Sequence, residues 1–135
     1  MTIRATSVDM EWADGEHTFT LKAPQIEELE AVCQNPETGK PGIGFGAIWL
    51  RVMNGNWYAS DLRYVIRLGL IGGGMGAVEA NRLCKTYVDG APLHGPIAQM
   101  DPNSPLAVAQ SILIAAIAGM ESEDGGKKTE TPSNE

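Results

Sequence analysis

The sequence predicts an α+β domain: an N-terminal β-hairpin packed on a bundle of about five α-helices, with a disordered acidic C-terminal tail. Three observations predict it. Apolar and polar residues alternate on both sides of Asp14-Gly15. Apolar residues then recur at helical spacing through most of residues 24–119, with Gly, Pro and Asn-Gly punctuation between the runs. Residues 121–135 contain no apolar side chain at all.

The hairpin covers residues 8–21. Val8, Met10 and Trp12 alternate with Asp9 and Glu11, and His17, Phe19 and Leu21 alternate with Thr18 and Thr20, the period of a half-buried strand. Asp14-Gly15 suits a two-residue turn with positive φ at both positions. That turn would pair Trp12 with His17, Met10 with Phe19 and Val8 with Leu21, all on one face. A lone hairpin is marginal in water, so this face must lie on something apolar.

The first helix starts at Pro24, with Glu27 and Glu28 near its positive end. Ile26, Leu29 and Cys33 form its inner stripe and Asn35-Pro36 ends it. Residues 37–46, rich in Gly and Pro, read as a mobile loop. Phe45, Ile48, Trp49 and Val52 then mark a second helix, stopped by Asn54-Gly55. Ser60 suits the N-cap of a third, with inner residues Leu62, Val65, Ile66, Gly69 and Leu70. Ala80, Leu83, Cys84, Tyr87 and Val88 define a fourth, stopped by Asp89-Gly90. Ser104-Pro105 caps a fifth that runs to about Gly119. The expected core is Val8, Met10, Phe19, Leu21, Leu29, Trp49, Leu62, Ile66, Leu83 and Tyr87.

The 135 residues suffice for one domain, expected over residues 1–120, and the tail over 121–135. The net charge is −7, and five acids against two lysines place −3 of it in the tail. An acidic body argues against nucleic acid, which requires clustered Lys and Arg. No apolar run is long enough to span a membrane, and the N-terminus lacks the apolar stretch of a signal peptide. Cys33 and Cys84 form no CxxC motif, which argues against a disulfide framework or zinc site.

Gly72-x-Gly74-x-x-Ala77 matches a dinucleotide fingerprint in letters. The preceding Leu62–Leu70 has helical rather than strand periodicity, and too little chain follows Asp89 to complete a doubly wound domain. A helix stop is the better reading, with nucleotide binding a third-ranked alternative. His17 and His94 lack metal-ligand neighbours in sequence, and Ser60 lacks a nucleophile-elbow context. No catalytic, cofactor-binding or metal residues are assigned. The fifth helix is apolar on nearly every side between Leu106 and Ala118. Such a helix is either enclosed by its own domain or shared with other chains. Because a small domain has a high surface-to-volume ratio, Ile112, Leu113 and Ile117 are expected to form a partner or self-association interface.

Several stretches, in order, resemble the small tail protein family of gene transfer agents and siphophages. They are Gly15–Leu21, Ile26-Glu27-Glu28-Leu29-Glu30, Trp57–Asp61 with Val65–Gly74, Glu79-Ala80 through Tyr87, Pro92-Leu93 and the small-residue helix ending near Gly119. The Gly/Pro segment at 34–46 departs from the compact helix link of that pattern. The family is grouped with tail assembly chaperones and is also described as a tail tube protein. The resemblance implies a non-enzymatic role in phage tail morphogenesis, in the cytoplasm of a bacterium carrying a prophage-like element. It implies as partners the tape-measure protein, held until tube subunits polymerise, and the tail tube subunit. The rival expectation is a structural subunit of the tube itself.

Overall fold

The computed structural model describes the backbone of residues 2–4, 6–91 and 101–130, and the side chains of 6–91 and 101–119. His94 and Pro92-Leu93 lie outside the described residues. Strands β1 (Thr2–Arg4), β2 (Ser7–Trp12) and β3 (Gly15–Thr20) form an antiparallel sheet in that order. Helix α1 (Ala23–Val32) follows, then a short ladder of β4 (Gln34–Asn35) and β5 (Lys40–Pro41). Helices α2 (Phe45–Asn54), α3 (Ala59–Gly72), α4 (Ala77–Tyr87) and α5 (Pro105–Glu130) complete the order.

The hairpin register differs from the expected one by two residues. Val8 pairs with Phe19, Met10 with His17 and Trp12 with Gly15, so the connecting residues are Ala13 and Asp14. Ala13 takes the left-handed conformation at φ 59°, and Asp14 Oδ1 lies 2.8 Å from His17 Nε2. Because side chains alternate with period two, a slip of two preserves the inward face. Val8, Met10, Trp12, Phe19 and Leu21 are all buried. Trp12 meets the rings of His17 and Phe19 edge-on, at centroid distances of 6.1 and 5.8 Å. The edge strand β1, absent from the sequence-based reading, pairs Thr2 with Asp9 and Arg4 with Ser7.

Helix α1 places Pro24 in its first turn, and Gln25 Oε1 accepts the Lys22 N–H at 3.0 Å. It ends at Val32 rather than Asn35, because Gln34 and Asn35 turn into the ladder. The expected mobile loop is a stapled hairpin. Asn35 Nδ2 donates to the Gly42 carbonyl at 2.9 Å, its Oδ1 accepts the Glu37 N–H at 3.0 Å, and its own carbonyl accepts the Gly39 N–H at 2.8 Å. Local side-chain bonds of this kind compete well with open-loop conformations. Glu30 then ties the exit of the hairpin to α1: its carbonyl accepts the Ile43 N–H and its carboxylate the Phe45 N–H.

Asn54-Gly55 ends α2, with Gly55 in the left-handed region at φ 86°. The inner face of α2 is Phe45, Ile48, Arg51 and Val52. Trp49, expected in the core, is only partly buried, because the inward face of α2 is rotated toward Arg51 and leaves Trp49 at its margin. Helix α3 begins one residue before Ser60, and its N-terminus is capped by Asp61 from within: Oδ2 accepts the Tyr58 N–H at 2.9 Å. Leu62, Val65, Ile66, Leu68, Gly69 and Leu70 of α3 are buried, as are Leu29 of α1 and Ala80, Leu83 and Cys84 of α4. Tyr87 is a correction to the expected core. It sits at the end of α4 with 36% of its surface exposed, and only its ring edge meets Trp12, 5.9 Å away.

The end of α3 lies against β3 at backbone contact. A Cβ on Gly72 would fall 1.9 Å from the Thr20 carbonyl oxygen, and one on Gly73 2.0 Å from that of Thr18. Gly69, one turn earlier, faces both Phe19 and Ile112. Helix α5 opens with Ser104, whose carbonyl accepts the Val108 N–H at 2.9 Å and whose Oγ accepts that of Ala107 at 3.3 Å. It packs on α3, α2 and the sheet. Its backbone continues to Glu130 rather than stopping near Gly119, since extending an existing helix avoids the cost of nucleation. The described small-residue packing ends at Gly119, where a Cβ would meet Thr6.

Two outcomes are expected. Gly72→Ala should lower stability by at least about 2 kcal/mol, because the new methyl group meets a backbone carbonyl that cannot rotate away; urea unfolding measures it, with Gly76→Ala, where the added Cβ is unobstructed, as the control. Deletion of residues 121–135 should leave the thermal midpoint within about 1–2 °C, because a polar segment adds little apolar burial to the body.

Candidate functional site

Helix α5 carries the residues expected at an interface, and within the chain they face inward. Ile112 and Leu113 are fully buried inside the chain's own fold, and Ile117 is partly buried against the same core. Gly69 explains the enclosure. Lacking a side chain, it lets α3 approach closely enough for Ile112 to fill the space between α3 and Phe19. Val108, Ala109, Ala115 and Ala116 bring the rest of α5 equally close. The absence of a polar face on this helix therefore reflects its central position.

Among the described residues, the large aliphatic side chains that face outward are distributed over three helices. Leu50 of α2 is 53% exposed, Val78 of α4 86% and Ile114 of α5 45%. Tyr58 and Tyr87 add exposed rings. Exposed Ile and Leu side chains are ordinary singly; here they are the candidate contact residues, because the buried face of α5 is unavailable. Periodicity missed them, since an outward apolar residue breaks the amphipathic pattern instead of extending it.

Beneath this surface lies one charged centre. Arg51 of α2 and Asp61 of α3 form a bidentate pair, Nε to Oδ2 at 2.9 Å and Nη2 to Oδ1 at 2.8 Å. Arg51 Nη1 donates to the Gln34 carbonyl at 2.8 Å, and its guanidinium stacks 4.9 Å above the Tyr58 ring. Asp61 is wholly buried and Arg51 nearly so. Burial works against the guanidinium's charge, but the hydrogen bonds and charge of Asp61 outweigh it and raise the Arg51 pKa. Burial, reinforced by the nearby Asp61 carboxylate, pushes the Cys33 thiol up to about 12. Burial pushes Cys84 to about 11. A thiol held neutral is a poor nucleophile and a poor metal ligand, and the Arg51–Asp61 pair joins α2 to α3. A pair of opposite charges ten residues apart, one at a helix start, was the available sequence signal for it.

The glycine segment is likewise structural. A helix, α3, precedes Gly72 where a fingerprint requires a strand. The Thr18 and Thr20 carbonyls occupy the space beside Gly73 and Gly72 that a pyrophosphate would need. Among the described residues no group of His, Cys, Asp and Glu is arranged to hold a metal ion. No described helix is long and apolar enough to cross a membrane.

A family model described as phage tail tube protein, GTA-gp10, matches residues 5–119. The match covers most of the chain, which therefore belongs to this gene transfer agent and phage tail family. No curated protein and no solved structure matches it. The chain is thus a tail-related structural or morphogenesis protein.

The charged centre generates two expectations. Asp61→Asn should destabilise by about 3–5 kcal/mol, because Arg51 is left buried without its counter-charge. Pairing it with Arg51→Met should recover much of that loss, a non-additivity that a double-mutant cycle in urea measures. The thiols set a pH limit. Their folded pKa values, about 12 and about 11, stand above the ordinary 9.0. The unfolded chain therefore loses these protons first, and stability should fall as pH rises from about 9 toward 12. Cys33→Ala should flatten that alkaline decline relative to the same variant's stability at pH 7.

Proposed function

We propose that this chain is a non-enzymatic tail assembly chaperone that shields the hydrophobic tape-measure protein, in the bacterial cytoplasm, until tube subunits polymerise. The observation that supports this reading best is the distribution of apolar surface. Leu50, Val78 and Ile114 project singly from three helices of an acidic chain. Each contact of that kind is weak, so grip on a long partner comes from many copies acting together. Weak single contacts also permit release when tube subunits arrive.

The second reading, a structural subunit of the tube, has its own support in the family's description as a tail tube protein. Against it, building a ring from sheets needs free strand edges. The described main sheet has three strands, and the β3 side is abutted by the glycines of α3.

Co-expression with the tape-measure protein of the same tail cluster tests the proposal. The wild-type chain should co-purify with it and keep it in solution. The double variant Leu50→Lys with Ile114→Lys should lose at least about tenfold in capture, while its own stability stays within about 1 kcal/mol, since both positions are exposed. Unchanged capture would remove the role assigned to this surface. Growth of the purified chain into tubes, seen by electron microscopy, would establish the second reading instead.

A further inference from the structure

Thr6 is one of two non-glycine residues, among those described, with a left-handed backbone. It holds φ 71°, a left-handed conformation in which a β-branched side chain is a steric outlier. It lies in the two-residue connection between β1 and β2, where Arg4 pairs with Ser7. The turn is held in place by α5: the Thr6 N–H donates to the Ala115 carbonyl at 2.9 Å, and Thr6 packs into the space left by Gly119. The strand it constrains is short, and its contacts are with β2 and α5.

A strained short hinge beside a small exchangeable element is the arrangement that favours domain swapping. If the hinge straightens, Thr6 moves to extended backbone, where β-branched residues are favoured, and its strain is released. Strand β1 then projects from the body and leaves the edge of β2 open. The segment with the matching register for that edge is β1 of a second copy, which would restore every pairing of Thr2 with Asp9, Ile3 with Val8 and Arg4 with Ser7. Ala13 is also left-handed, but its smaller side chain carries less strain, and the longer β2–β3 ladder it joins is anchored by buried Val8, Met10 and Phe19.

We propose that two copies of this chain exchange β1 through extension of the Thr6 hinge, forming a swapped dimer at high concentration. The inference is independent of the tape-measure reading, since it concerns only the chain's own sheet.

Two full-length single variants, Thr2→Cys and Asp9→Cys, test it. They are mixed, refolded together at high concentration and oxidised. In a closed monomer each chain carries only one of these cysteines, and Cys33 and Cys84 are buried. Exchange puts position 2 of one chain opposite position 9 of the other. The disulfide-linked heterodimer of an equal mixture should therefore far exceed twice the amount of each homodimer, the ratio that random cross-linking gives, on a non-reducing gel. Thr6→Gly, or Thr6→Asn if the glycine chain folds poorly, relieves the strain within the closed form. Either change, made in the chain without the added cysteines, should weaken the dimer about tenfold or more in dissociation constant, read by sedimentation. A heterodimer yield no more than twice that of each homodimer, or a dimer unaffected by the Thr6 variants, would overturn the proposal.

Discussion

Everything in this fold is arranged around the distance between the end of α3 and strand β3. Gly72 and Gly73 lie so near the Thr20 and Thr18 carbonyls that no side chain fits between them. That approach brings the apolar face of the hairpin down onto α3, where Phe19 becomes wholly buried beside Gly69. It also opens, on the neighbouring flank of Gly69, the space that Ile112 fills. Without this closeness the hairpin would stand away from the helices and α5 would lose part of its enclosure. Small residues here act as spacers, and the packing density of the core follows from them.

The other end of α3 is fixed by charge. Asp61 serves at once as the cap for Tyr58, the counter-ion of Arg51 and the near neighbour of Cys33. Through Arg51 Nη1 the same centre reaches the Gln34 carbonyl, at the point where α1 hands over to the small ladder. A buried ion pair adds little net stability over an apolar substitute, but it tolerates few geometries, because a misplaced partner leaves a charge without compensation. Helix α3 is thereby held at its start by electrostatics and at its end by steric fit. The remaining helices take their positions from it.

Among the described residues, this packing leaves little apolar surface outside the core. The most apolar helix is consumed by the core, and the carbonyls of Thr18 and Thr20 are abutted by glycine backbone. The described apolar surface outside the core is scattered: single side chains on α2, α4 and α5, with the sheet edge occupied by β1. Those features suit repeated weak contact and exchange better than one deep permanent interface, in keeping with a tail morphogenesis family. Phage tails are built from many copies of few proteins, and weak sites gain strength there by repetition.

The sequence by itself determined the β2–β3 hairpin, the five helices and most of their stops. Alternation around Asp14, the Asn54-Gly55 stop and the Ser104-Pro105 start each express a local backbone preference, which acts wherever the segment lies. It also carried the family resemblance, spread in order along most of the chain. It did not determine the hairpin register, because parity is all that a period of two can report, and a slip of two leaves parity unchanged. Nor did it disclose the staple around Asn35, whose bonds reach the carbonyl of Gly42 across a turn of Gly and Pro that looks open in one dimension. The inward placement of Arg51 and the interior position of Ile112 and Leu113 were decided only by the tertiary structure. Periodicity records how apolar each face of a helix is, and the choice between core and interface depends on which neighbour covers it. Here that choice was made by Gly69, Gly72 and Gly73, through the absence of side chains that would have held α5 and the sheet apart.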